Sequence, residues 1–210
     1  MKTDDLIEAL AAGLEPVRPA RIHPLWITAA FAASVAGVLL LLGLRPDLGV
    51  ALAGPTFWLK ALYSTAMAGA ALILVTRLGR PGVGSRPALY GIVGIVGLAI
   101  VFAGVELALT PTTGWARSWL GLTWTYCARN ILLISACAAP LIWLGARPLA
   151  PTRPMASGAA LGLMTGAIAA TAYGLHCPEA TAPFVATWYT LGMALAAAIG
   201  AVIGRFALRW

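Results

Sequence analysis

The sequence predicts an all-α, polytopic membrane protein with six transmembrane helices, both termini in the cytoplasm (N-in/C-in) and a short amphipathic helix at the N-terminus. Of its 210 residues, 60% are hydrophobic and 10% are charged, and the mean hydropathy is +0.88. Soluble domains are about 45–50% apolar and about 25% charged, and a soluble fold of this length would leave roughly a third of the unfolded surface in water. The bilayer is therefore the expected solvent, which excludes a disordered chain, a secreted disulfide scaffold and an ordinary cytosolic enzyme.

Six apolar runs approach the roughly 20 residues that a helix needs to cross the hydrocarbon core. They cover residues 25–44, 57–76, 88–109, 125–145, 155–175 and 184–204. The fourth run is the weakest, because Arg129 and Asn130 lie near its start and Pro140 interrupts its far end. Nothing of domain size remains between the runs, so residues 25–210 are predicted to form one six-helix transmembrane domain.

Lysine and arginine are distributed unevenly over the loops between these runs. With the N-terminus inside, the inner face has ten such residues: Lys2, Arg18, Arg21, Arg77, Arg80, Arg86, Arg147, Arg153, Arg205 and Arg209. The outer face has four: Arg45, Lys60, Arg117 and Arg129. Because an excess of Lys and Arg marks the cytoplasmic side, this distribution predicts that both termini are cytoplasmic.

A short helix is predicted within residues 1–24, ahead of the first apolar run. Thr3 can cap this helix, and the negative charges of Asp4 and Asp5 in its first turn interact favourably with the positive end of the helix dipole. Its apolar face is predicted from residues at helical spacing: Leu6, Ile7, Leu10 and Leu14. Because the rest of the helix is acidic, anionic lipid head groups would repel it, whereas a protein with a basic, apolar-lined groove would bind it. Docking on the chain's own cytoplasmic loops is the alternative.

Three cysteines, Cys127, Cys137 and Cys177, are too few for a disulfide framework. In the predicted topology Cys127 and Cys177 lie near the outer membrane surface, whereas Cys137 lies about 15 Å deeper and is expected only to pack. Two thiols on an oxidising face can form a disulfide, and together with His176 they are candidate ligands for a soft metal. Arg129, close to Cys127 in sequence, would favour a thiolate. Two unrelated packing thiols are the alternative.

Ionisable side chains are absent from the centre of every predicted span. Lys60, Glu106 and Arg129 fall near outer span ends, where such side chains usually extend to the membrane interface. This distribution argues against a proton pump or an ion-coupled transporter. The sequence also contains no zinc-protease, serine-hydrolase or phosphate-loop motif, so no catalytic residue is predicted and the chain is not expected to be an enzyme.

Both ends of the chain are recognisable. The start reads Met1-Lys2-Thr3-Asp4-Asp5-Leu6-Ile7, and the end includes His176-Cys177-Pro178-Glu179, Phe184, Trp188-Tyr189, Leu191-Gly192, Gly200, Gly204-Arg205 and Leu208-Arg209-Trp210. With these blocks, its length, its six spans and the position of Cys127, the whole chain resembles the NrsF-like family of bacterial integral-membrane anti-sigma factors, named as negative regulators of sigma F.

The resemblance implies a multi-pass protein of the bacterial inner membrane that holds an extracytoplasmic-function sigma factor inactive. The cytoplasmic segment 1–24 would bind the sigma factor, which assigns that role to Asp4, Asp5, Leu6, Ile7, Leu10 and Leu14. Release would follow oxidative or heavy-metal stress sensed by two periplasm-facing cysteines, which match Cys127 and Cys177. Membrane lipids are the other expected partners. No cofactor is expected beyond transient binding of a heavy metal, and the resemblance assigns no role to Cys137.

Two other functions remain as alternatives. A membrane thiol oxidoreductase would need a Cys-x-x-Cys motif or a second cysteine pair to relay disulfides, and the sequence has neither. A small metal transporter would need polar groups at mid-span, and few are present. Direct binding of nucleic acid is disfavoured because the basic residues are dispersed rather than gathered into one patch.

Overall fold

The computed structural model describes residues 3–12, 21–80, 82–149 and 151–208, and the regular secondary structure of these residues is entirely helical. The helices are α1 Thr3–Ala11, α2 Pro24–Leu42, α3 Leu48–Ala53, α4 Pro55–Leu78, α5 Arg86–Leu109, α6 Trp115–Leu120, α7 Trp124–Ala146, α8 Pro154–Tyr173 and α9 Ala182–Ala207. Within this described part, six helical stretches are long and apolar enough to cross a membrane. The predicted all-α class and the six apolar helices are thereby confirmed, whereas the orientation stays a prediction.

Local sequence explains where the long helices begin and where two of them change their winding. Prolines occupy the first turn of α2, α4, α5, α8 and α9, where the missing N–H costs no hydrogen bond. Pro140 lies inside the fourth predicted run, and α7 continues through it to Ala146, as transmembrane helices packed among neighbours permit. The last turn of α2 and the segment Val185–Tyr189 of α9 are π-helical.

Helix α8 is the centre of the bundle, and it packs against α2, α4, α7 and α9. Its contact with α9 is made by backbone: a Cβ added to Gly204 would lie 2.6 Å from Cα of Gly158, and one added to Gly166 would lie 2.8 Å from Cβ of Ala196. Only glycine permits this approach, which is how helices associate in lipid. Gly158, Gly162 and Gly166, which repeat every four residues along α8, therefore serve packing within the chain.

Helix α5 is peripheral, and only its Ala88 and Ala103 are buried. Its remaining surface is a continuous array of exposed apolar side chains that includes Val93, Leu98 and Phe102. Soluble monomers rarely expose apolar patches of this extent. This surface fits a lipid environment, in agreement with the composition.

Helix α1 covers Thr3–Ala11, with Asp4 and Asp5 in its first turn. Leu6, Ile7 and Leu10 are exposed, at 42%, 59% and 68% of their full surface. Leu14, the fourth residue of the predicted apolar face, lies outside the described residues. The assignment of this face to a partner stays a prediction.

Candidate functional site

The thiols of Cys127 and Cys177 meet at one end of the bundle. Cys127 lies in the first turn of α7, and Cys177 lies in the segment between α8 and α9. Both are fully buried and both are free thiols. Cys127 donates a side-chain hydrogen bond to the sulfur of Cys177, and an apolar cluster with Ile131 and Phe184 surrounds the pair.

The segment 174–181, which we call the cysteine loop, begins as an extension of α8. The backbone N–H of Cys177 donates to the carbonyl of Tyr173 at 3.0 Å, one turn back along the chain. Pro178 follows and has no backbone N–H, so it cannot donate the next hydrogen bond of the helix. The loop thus leaves the helix directly after Cys177, with the thiol turned into the bundle.

Two cations from other helices hold the backbone of the cysteine loop. Lys60 of α4 donates from Nζ to the carbonyl oxygens of Cys177 at 3.0 Å and Glu179 at 2.9 Å. Arg45, in the loop after α2, donates from Nη1 to the same Cys177 carbonyl at 3.2 Å. The guanidinium of Arg45 is itself fixed by Asp47 through two contacts of 2.7 Å.

The placement of the charged side chains corrects two predictions. Lys60 does not extend to the membrane interface, since it is only 4% exposed and points into the bundle. Arg129 is exposed and lies over the ring of Tyr126 at 4.9 Å. The positive charge near the thiols therefore comes from Lys60 and not from Arg129, because Arg129 shares only a sequence neighbourhood with Cys127.

Two carboxylates join the cysteine loop and α9 to the third and fourth spans. Oε1 of Glu179 accepts hydrogen bonds from the N–H of Leu122 at 2.7 Å, the N–H of Thr123 at 3.1 Å and the hydroxyl of Thr123 at 3.2 Å. Gly121 has a φ of +58°, and a Cβ there would lie 2.6 Å from the Glu179 carboxylate, so both its conformation and the space require glycine. Glu106 of α5 accepts from the N–H of Ala182 at 2.7 Å, at the start of α9.

The predicted metal ligands do not assemble into a site. Nδ1 of His176 is 2.9 Å from the carbonyl oxygen of Gly43, which places the imidazole on the α2 loop. In the described ranges no group of three or more His, Cys, Asp or Glu side chains could hold a metal ion. Cys127, Cys177 and His176 are therefore not grouped as three ligands in this structure, and metal binding by the two thiols stays a prediction.

Cys137 lies apart from the thiol pair and packs between helices. Its sulfur would be 3.1 Å from a Cβ added to Gly37 of α2, so the two helices approach closely at this point. The side chain is half-buried. This position agrees with the packing role predicted for it.

Tyr189 completes the surroundings of Cys177. It is fully buried at the end of the π-helical segment of α9, and its ring lies 5.5 Å from Nζ of Lys60. Its hydroxyl has no hydrogen-bond partner among the residues that the structure describes, and Tyr189 interacts electrostatically with Cys177. π-Helical turns of this kind recur at functional sites.

The electrostatics of the site distinguish Cys177 from an ordinary buried thiol. The hydrogen bond from Cys127 and the charge of Lys60 lower the pKa of Cys177 to about 6, although burial opposes this. A thiolate is the reactive form of cysteine. Cys177 is thus prepared for thiol chemistry, while its complete burial restricts access by reagents.

Sequence reasoning missed the side chains that hold the cysteine loop. Arg45 entered only as a topology determinant, Lys60 also as a side chain expected to extend to the membrane interface, and Glu179 had no role. One sequence feature could have indicated these side chains. They are long and charged, they lie beside otherwise apolar span ends, and they fall on the same predicted face as the two cysteines. Such groups within or beside spans are often functional.

The comparisons with known proteins agree over the whole chain. The chain is 43% identical over 222 residues to "Anti-sigma-F factor NrsF" of Caulobacter vibrioides, with all of both chains covered. It is 39% identical over 215 residues to "Probable anti-sigma-F factor NrsF" of Azospira oryzae, again with full coverage of both. No solved structure matches it. The family described as "Negative regulator of sigma F" matches residues 10–210, and the chain therefore belongs to the NrsF family.

Proposed function

We propose that this chain is an inner-membrane anti-sigma factor that binds an extracytoplasmic-function sigma factor through segment 1–24 and releases it when the pair Cys127 and Cys177 is oxidised. The protein is regulatory, in keeping with relatives that are named anti-sigma-F factors. The observation that carries the sensing part is the meeting of two free, buried thiols that are fifty positions apart in sequence.

The thiol pair lies where a chemical change alters contacts between helices. Cys127 belongs to α7, and Cys177 follows α8 and precedes α9. Oxidation to a disulfide replaces a hydrogen bond by a covalent bond and therefore changes the favoured arrangement of these elements. A stimulus can shift a two-state balance only by its differential stabilisation, and about 5.5 kcal/mol moves it from 1:99 to 99:1.

In the proposed function, the N-terminal helix α1 binds the sigma factor. Its exposed Leu6, Ile7 and Leu10, with Asp4 and Asp5 in the first turn, suit a groove that is apolar at its base and basic at its rim. The periplasmic position of the thiols and the cytoplasmic position of this helix follow from the excess of Lys and Arg on the inner loops. Information would then pass through the helix bundle.

The experiment is a sigma-dependent reporter in cells that express the full chain with single and double cysteine substitutions. We expect Cys127→Ser and Cys177→Ser each to uncouple the reporter from a peroxide challenge, with the double variant resembling either one. Cys137→Ser is the matched control, because its thiol packs elsewhere, and it should respond as the wild type does. A cadmium challenge in parallel tests whether soft metal ions act through the same thiols. An unchanged peroxide response in both Cys127→Ser and Cys177→Ser would refute thiol sensing.

A further inference from the structure

The ammonium of Lys60 is buried at the thiol pair without a carboxylate partner. In the described part of the chain the one ion pair is that of Arg45 with Asp47. Glu179 and Glu106 accept backbone N–H groups elsewhere. Lys60 is therefore satisfied by two carbonyl dipoles, and no carboxylate balances its charge.

A buried charge without a counter-charge is costly, and such groups are normally paired or neutralised. Nζ of Lys60 contacts the carbonyl oxygen of Cys177 at 3.0 Å, and its charge acts on the thiol of the same residue, which also interacts with the Cys127 thiol. Tyr189, whose hydroxyl has no hydrogen-bond partner in the described part of the chain, interacts with Cys177 as well. A thiolate at Cys177 would accept hydrogen bonds from both groups and balance the ammonium.

We propose that Lys60 positions Cys177 and is the counter-ion of its thiolate, so that Cys177 reacts first with an oxidant and Cys127 resolves the product. The hydrogen bonds from Nζ fix the peptide that bears Cys177, and the charge selects between two thiols that are equally buried. The inference takes the thiol pair of the proposed function as its starting point, and its test measures chemistry on the purified chain.

With a peroxide as oxidant, the Cys177 thiolate attacks one peroxide oxygen and the O–O bond breaks. The leaving hydroxide takes up a proton and becomes water, and Cys177 becomes a sulfenic acid. The Cys127 sulfur then attacks the Cys177 sulfur, which forms the S–S bond and releases a second water. The two thiols lose two electrons in total, and the peroxide is reduced to two waters.

Charged and titratable groups from several elements face Cys177 and belong in any pH profile of this reaction. They are Cys127 of α7, Lys60 of α4, Arg45 of the α2 loop, Glu179 of the cysteine loop, Tyr173 of α8 and Tyr189 of α9. Of these, Lys60 and Arg45 each carry a full charge and contact the Cys177 backbone, but the charge of Arg45 is paired with Asp47 whereas that of Lys60 has no carboxylate partner. Removal of Lys60 is therefore the selective perturbation.

The test uses the full chain in lipid nanodiscs with Cys137→Ser as the background. Samples are exposed to hydrogen peroxide over a pH series, quenched in acid, unfolded and alkylated, and the oxidation of each cysteine peptide is quantified by mass spectrometry. With Cys127→Ser, oxidation of Cys177 should rise with a midpoint below the ordinary thiol value of about 8.5, because the charge of Lys60 remains beside it. With Cys177→Ser, Cys127 should be oxidised at least about tenfold more slowly at neutral pH.

Replacement of Lys60 should change the pH profile in a way that loss of packing alone would not. We expect Lys60→Met to move the Cys177 midpoint upward by at least about one pH unit, toward the ordinary thiol value of about 8.5. Lys60→Arg retains the charge and the donors and should restore the low midpoint.

An unchanged midpoint in Lys60→Met, or equal oxidation rates at Cys127 and Cys177, would overturn the inference. If Lys60→Met does not fold, the comparison of the two cysteine variants still decides which thiol reacts first. Should the midpoints behave as expected while the sigma-dependent reporter ignores both cysteine substitutions, the proposed function fails and the role of Lys60 stands.

Discussion

Substitution of Glu179 by glutamine should expose the buried thiols to reagents. Oε1 of Glu179 accepts three hydrogen bonds from Leu122 and Thr123, between 2.7 and 3.2 Å long. Hydrogen bonds to a charged acceptor contribute about 1.5–3 kcal/mol each and neutral ones about 0.5–1.5 kcal/mol. A glutamine can still accept, but without the charge, so we expect the closed cysteine loop to lose about 2 kcal/mol relative to open states. At about 1.4 kcal/mol per factor of ten, the open population rises roughly 30-fold.

The assay is the rate of maleimide alkylation at Cys177 in proteoliposomes, with Cys137→Ser as the background. A pH near 8.5 keeps the thiolate fraction from limiting the comparison, and alkylation then follows the open population as long as reclosing is faster than the reaction. Thr123→Ala removes one of the hydrogen bonds and should accelerate alkylation about fivefold. Glu8→Gln makes the same chemical change on exposed α1 and should have no effect. Equal rates in Glu179→Gln and the wild type would refute the role of this carboxylate in closing the loop.

Three further predictions address topology, partner binding and packing. Reporters fused after Arg80 should register as cytoplasmic and those fused after Glu179 as periplasmic; a cytoplasmic Glu179 would place the thiols in a reducing compartment and contradict the proposed sensing. Leu10→Glu should abolish co-purification of the sigma factor without loss of membrane insertion, because a charge in an apolar groove is costly, and retained binding would move the interface to other loops. Gly162→Val should lower the thermal midpoint of unfolding, since overpacking costs about 1–3 kcal/mol. Gly69→Val, at a position with open space, is the control, and equal midpoints would contradict the close α8–α9 contact.

The parts of the fold that could be predicted from sequence are those that depend on local composition. Apolar length alone located the six spanning helices, and proline punctuation placed most of their starts within two residues. Pro140 interrupts the apolar pattern of the fourth run without ending α7, because neighbouring helices support that helix on both sides of the ring.

The candidate site was only half predictable for the same reason. Cys127 and Cys177 could be assigned to one face from topology, since helix ends alternate between the two membrane surfaces. The side chains that hold the cysteine loop could not be predicted, because the position of a residue along a span does not determine the direction of its side chain. Lys60 near a span end could extend to the interface or turn inward. It turns inward because the carbonyl oxygens of Cys177 and Glu179 accept its hydrogen bonds there.

The close contact between α8 and α9 has a mechanical consequence. Glycine backbones touch directly at Gly158 and Gly204, so few deformable side chains separate the two helices there. We expect the pair to move together as one stiff rod, with the cysteine loop at its tip. A twenty-residue helix is about 30 Å long, and a tilt of about 5° at one end swings the other by about 2–3 Å. The far end of the rod carries Arg153 and Arg205. We therefore expect a small displacement at the thiols to move Arg153 and Arg205 on the opposite side of the bundle.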